Sequence, residues 1–227
     1  MQRTEQNEEN VLAVAPVVAR TLCPFAVKAQ LSSAPPYDEA CSLRANLAES
    51  LDALTRFTER AETEQLDAFV YRFPVSAVGA EIGQLARLVR TLVEVLLTND
   101  PVAPRRFVYW DALVPQWRLS YAGVDYFAPV FSPIYRKDHS RHTHGVSDSV
   151  FVLMQPNSSF HARLGNRAAK IRRNIRSRFA DAGQEYSRFE LEAHRFVLPL
   201  STGDDAVKWY DVPPFPRANM TDRGCIA

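Results

Sequence analysis

The stretch "GAEIGQLARLVRTLVEVLLTND" at 79–100 restricts the fold more than any other part of the chain. Its Ile82, Leu85, Leu88, Val89, Leu92, Val93 and Leu96 fall at the three- and four-residue spacing of one helix face. An apolar face that wide must be covered by other structure, and the Asn99-Asp100-Pro101 breaker ends the helix. A second long helix is predicted from Glu39 to Glu62, where Leu43, Leu47, Leu51, Leu54 and Phe57 step by 4, 4, 3 and 3. Between the two lies "LDAFVYRFP" (66–74), aromatic or β-branched and ending at a proline, which reads as a strand.

The flanking segments extend the pattern. The N-terminal segment, residues 1–22, is predicted helical, and "CPF" at 23–25 stops it because proline cannot donate to the helix ladder. After the long helix come strand-like pieces at 105–110, 116–121 and 124–135, and Ala122-Gly123 suggests a tight hairpin. "DSVFVLMQP" (148–156) is the most apolar strand candidate. Helical spacing returns from His161 to Ala182, with Gly183 placed to cap it, and 187–200 reads as a strand before an extended, proline-rich tail at 201–227. The expectation is one α+β (mixed α/β) domain over 1–227, with a central, mostly antiparallel sheet flanked by helices.

Composition narrows the partners. With 46% hydrophobic and 23% charged residues the chain is an ordinary folded protein, and its net charge of +1 argues against nucleic acid as the main partner. No apolar run approaches the ~20 residues that span a bilayer, and "MQRTEQNEEN" has no apolar core of a secretory signal, so no membrane partner is expected. Cys23, Cys41 and Cys225 are odd in number and far apart, which suggests no disulfide framework, and the expected compartment is the cytoplasm.

Chemistry concentrates in "KDHSRHTHG" (137–145), which holds three of the five histidines, His139, His142 and His144. The knot lies between two strand candidates, a common setting for functional residues. Zinc is poorly served, since no cysteine is nearby and no His-Glu-x-x-His pair exists. A plain polar loop explains the spacing equally well. No Gly-x-Ser-x-Gly elbow, P-loop or Gly-x-Gly-x-x-Gly appears, which removes the familiar hydrolase and nucleotide sites. The basic helix "RAAKIRRNIRSRF" reads first as a solvated face and second as an anion site.

The stretch from Ser120 to Phe160 resembles the YqcI/YcgG family. The likeness is carried by "AGVDYF", "SPIYRKDHSRH", "VFVLMQP" and "QPNSSF", and more loosely by the N-terminal "LCPF". Characterised members are haem proteins that hydroxylate guanidine or amine nitrogens, as in the cycloserine and guanitoxin pathways. The resemblance implies a haem-dependent monooxygenase acting on a small amino-acid-like substrate, with molecular oxygen as co-substrate and an external electron donor. It implies His139 as the iron ligand, with Arg141 behind it and His142 as runner-up. Tyr126, Phe127, Phe131 and Phe151 are then candidates to wall the porphyrin. A haem-binding or sensing protein without oxygenase activity, or a zinc-binding or metal-free module, are the alternatives, and homodimer formation stays open. Asn157 stands where some members carry a histidine.

Overall fold

A computed structural model describes residues 2–159, 168–184, 188–201 and 203–216. Six strands form one mixed sheet: β1 (Leu31–Ser33), β2 (Ala68–Pro74), β3 (Leu119–Tyr121), β4 (Val124–Phe127), β5 (Val130–Phe131) and β6 (Ser149–Pro156). Their order is β1-β2-β6-β4-β3, with β5 also on β6. Only β1 and β2 run parallel, and every other pairing is antiparallel. The helices that lie wholly within the described residues include α1 (Gln2–Arg20), α2 (Leu43–Glu49), α3 (Leu51–Ala61), α4 (Val75–Val78), α5 (Ile82–Thr98) and α6 (Ala168–Asp181). The expected α+β domain with helices flanking a mostly antiparallel sheet is therefore the observed one.

Strand periodicity sorts the core into two layers. Phe69, Tyr71 and Phe73 of β2 share a face with their partners Met154, Val152 and Val150 of β6. They join α2, α3 and α5 in the larger core. The alternate residues Ala68, Val70, Phe151 and Leu153 face the other way and are covered by Val14 and Val17 of α1. Strand β6 is thus buried on both faces, which explains its unbroken apolar run. Each large aliphatic or aromatic side chain so covered stabilises the fold by about 1.5–3 kcal/mol.

Local chemistry sets the element ends. Glu81 and Gln84 form a capping box at the start of α5. At its end, buried Asp100 accepts from the backbone N–H groups of Val102, Ala103 and Ala122, tying α5 to the β3–β4 turn. That turn is the expected hairpin, with positive φ at Ala122 (50°) and Gly123 (77°) as a type I′ turn requires.

Several expectations are corrected. The helix foreseen over 39–62 is broken at Ser50, whose hydroxyl sits 2.6 Å from the Leu47 carbonyl and 3.1 Å from the Tyr71 hydroxyl. Residues 105–110 form no strand; the chain there ends in a 3₁₀ turn, Tyr109–Leu113. The single strand foreseen at 124–135 is divided into β4 and β5. Described residues within 187–200 hold a 3₁₀ turn, Glu192–Arg195, in place of a strand. The N-terminal helix ends at Arg20, before Leu22. Of the helix foreseen at 161–182, residues 161–167 lie outside the described residues. Within the segment 201–227, described as far as 216, Trp209 is fully buried against Phe107, Trp117 and Phe196. Cys41 is disulfide-bonded, which the odd cysteine count did not suggest.

Candidate functional site

Between β5 and β6 the chain makes a series of tight turns that bring the histidine knot into one compact loop. The backbone amides of Tyr135, His139, His142 and Val146 each bond the carbonyl three residues earlier, and Ser132 N–H donates to the Arg141 carbonyl at 3.1 Å. His144 (φ 51°) and Gly145 (φ 107°) take the left-handed conformations that turn the chain into β6. From outside, Arg20 at the end of α1 donates to the His144 carbonyl at 3.0 Å.

His139 is committed to the interior of this loop. Its ring stacks on Tyr135 at 4.3 Å and 7°. Its Nδ1 accepts the Arg141 N–H at 3.0 Å, so the neutral ring carries its proton on Nε2 and donates it to the Pro199 carbonyl at 3.2 Å. Burial, and then the nearby Arg141 guanidinium, push its pKa down to about 4. Tyr135 is itself fixed, its hydroxyl donating to the Leu198 carbonyl at 2.9 Å. The pair therefore staples the loop to the segment 198–199.

Arg141 also points inward. It is 8% exposed, donates to the Arg195 carbonyl at 3.2 Å, and lies over the rings of Phe131 (5.1 Å) and Phe127 (5.7 Å). Phe127 and Phe131 are thus brought to the loop, but as supports for Arg141. Tyr126 is elsewhere: it is fully buried in the larger core, its hydroxyl 2.6 Å from that of Thr58.

His142 and His144 occupy the outer side. Both are partly exposed and their rings meet edge to face at 5.2 Å. His142 Nδ1 accepts the His144 N–H at 2.9 Å. Among the described residues no hydrogen bond reaches the His144 ring. Burial lowers both pKa values, helped by Lys137 for His142 and by His142 and Arg20 for His144, so both rings are neutral at pH 7. Arg136 and Lys137 stand exposed on the same loop.

These positions decide what the loop can ligate. An axial imidazole needs a free lone pair and usually donates its other N–H to an acceptor. His139 has both ring nitrogens engaged, and its Nδ1 accepts where a metal ligand would donate. His144 offers an uncommitted ring, and His142 would need to release one backbone bond. Were a haem held by this loop, the uncommitted His144 ring, with Arg136 and Lys137 exposed on the same loop, would offer donors that His139, with both ring nitrogens engaged, does not. No group of three or more histidine, cysteine or acidic side chains among the described residues is arranged to hold a metal ion. The family likeness pointed to His139 and then to His142, and gave no reason to single out His144.

On α6, Ile175 and Phe179 are buried while Lys170, Arg173, Arg176 and Arg178 are exposed, the arrangement of a solvated basic face. No described helix is long and apolar enough to cross a membrane. The family model described as the YqcI/YcgG family matches residues 20–195, a span that contains the whole histidine loop. No curated protein and no solved structure matches the chain.

Proposed function

The chain belongs to the YqcI/YcgG family, and on that premise we propose that it is a haem-dependent monooxygenase that hydroxylates an amino or guanidino nitrogen of a small amino-acid-like substrate. The observation that carries the reading is the pair of neutral, partly exposed imidazoles His142 and His144, held on a rigid loop inside the matched span. Bound haem would supply oxygen activation, with electrons from an external donor.

The chain's own residues hold and shape the site. His144 is the ligand its free ring favours, and His142, at van der Waals range, fixes the ring's orientation from one side. Arg136 and Lys137 offer donors to carboxylates beside it. His139, Tyr135 and Arg141 form the scaffold beneath, anchored to the Leu198, Pro199 and Arg195 carbonyls. A loop pinned on both sides in this way loses little further entropy when a ligand binds.

An absorption spectrum of the purified protein before and after hemin addition tests the reading. The expected result is a Soret band that His144→Ala abolishes and His139→Ala retains in the folded fraction. A protein that takes up no hemin overturns it. Turnover with oxygen and a reductant across a panel of amines and guanidines separates a hydroxylase from a haem-sensing protein.

A further inference from the structure

Five of the eight large hydrophobic side chains exposed among the described residues fall within thirteen positions: Val102, Val108, Trp110, Leu113 and Val114. Trp110, 62% exposed, packs its ring against Tyr109, the centroids 4.1 Å apart and the planes tilted by 33°. Scattered exposed hydrophobics are ordinary, but a set this close in sequence, with an aromatic among them, points to an interaction surface. Beside it lies an open groove of about 420 Å³ lined by Phe107, Tyr109, Trp110, Tyr210, Asp211 and Pro213, among others. The floor is rigid. Arg90 spans it, its guanidinium 4.4 Å over Phe107, held by Glu94 at 2.7 Å and by the Tyr210 carbonyl at 2.9 Å.

We infer that this surface is where a second copy of the chain docks, each copy's Trp110 entering the other's groove. The patch contains what a two-fold contact needs, an exposed ring and a concave aromatic surface on the same few residues. Its charges are also self-complementary. Arg105 and Arg106 are exposed just before Phe107 in the chain, Asp111 is exposed next to Trp110, and Asp211 is exposed in the groove. A two-fold operation sets the basic end of one copy against the acidic end of the other. A tryptophan side chain contributes roughly 200 Å² of contact, and the four aliphatic neighbours extend the patch toward the ~800 Å² per partner of a specific interface. The groove shares no lining residue with the histidine loop, so the surface stands independently of the haem reading.

Sedimentation velocity of the full chain from about 1 to 200 μM is the test. The expected result is a concentration-dependent shift toward twice the 25.6 kDa monomer mass. Trp110→Asp should weaken association by roughly 30-fold or more, the effect of losing a central aromatic anchor. Leu12→Asp, on an equally exposed residue of α1, should leave association unchanged. Arg105→Glu/Arg106→Glu and Asp111→Arg/Asp211→Arg chains should each associate poorly alone and pair when mixed. A chain that stays monomeric throughout, or a dimer indifferent to Trp110→Asp with its melting curve intact, overturns the inference.

Discussion

His139→Ala separates a structural histidine from a ligand. The substitution removes the donated bond to the Pro199 carbonyl, leaves the Arg141 N–H without its acceptor, and strips the stacked ring from Tyr135. Each bond is worth about 1 kcal/mol net and the ring contact about 1 kcal/mol more, so the loss at pH 7.5 is about 3 kcal/mol. In urea, with a slope of roughly 3 kcal/mol per molar, the midpoint falls by about 1 M. A second readout comes from pH. Unfolded His139 takes its proton near pH 6.5 and the folded one only near 4, so the unfolded state binds more protons in between. The ring's contribution is fully present above pH 6.5 and is lost as pH falls toward 4. At pH 5 the parent has lost up to about 2 kcal/mol from this group, reduced to about 1 by the ring's partial exposure. The variant has no such group, so the stability gap between the two should narrow from about 3 to about 2 kcal/mol between pH 7.5 and pH 5. His142, His144 and His194 titrate in both proteins and cancel in the difference. Tryptophan fluorescence in urea at the two pH values measures it. A gap under about 1 kcal/mol at pH 7.5, or one that widens in acid, refutes the stapling role; loss of a Soret band in a variant of parental stability would return His139 to the position of ligand.

Two further substitutions probe the surroundings. Tyr126→Phe removes only the hydroxyl bonded to Thr58, and should cost about 1 kcal/mol in the same assay while leaving hemin uptake untouched. A changed Soret maximum would show instead that Tyr126 reaches the haem. Glu192 has one buried carboxylate oxygen, Oε1, without a hydrogen-bond partner, and burial raises its pKa despite Arg118 at 3.4 Å. A carboxyl with a raised folded pKa favours the fold in its protonated form, and that contribution is lost as pH rises through the folded value. Glu192→Gln should therefore match the parent near pH 4 and gain up to about 1 kcal/mol by pH 7.5, the upper limit for a group partly screened by water. A variant less stable than the parent at pH 7.5 would show that the Arg118 pair outweighs the burial cost.

The parts of the fold legible in the sequence are those where one physical demand acts alone. Along α5 the apolar spacing, the capping pair and the Asn-Asp-Pro stop all agree, and the helix found at Ile82–Thr98 lies within the predicted 79–100. Strands β2 and β6 are apolar enough that only sheet positions between two layers can cover them. The failures share another cause. "RRFVYW" and the 187–200 stretch carry strand-like composition, but short apolar runs can equally be buried by irregular chain. Phe107 and Phe196 reach the aromatic cluster around Trp209 without any ladder, while Val108 and Trp110 face water. The break at Ser50 depends on a hydroxyl meeting Tyr71, a contact 21 residues away that local spacing cannot contain.

The candidate site shows the same division at finer scale. That the histidines share one loop between strands followed from the flanking apolar runs alone. Which of them is available did not, because availability depends on the second nitrogen of each ring. His139 is consumed by Pro199, 60 residues later, and Arg141 by Arg195, 54 residues later, and nothing in "KDHSRHTHG" announces either carbonyl. Sequence position had favoured the histidine nearest the family's loop residue, yet that one lies deepest and is neutralised most strongly by burial. A histidine-rich loop in this fold must spend some rings on holding itself together, since tight turns leave amides that only side chains can satisfy. His139 and His142 each accept the amide two residues on, and His144, the last of the three, has no such amide to serve. The end of the series is thus where a lone pair remains, which is why His144 is the ligand proposed.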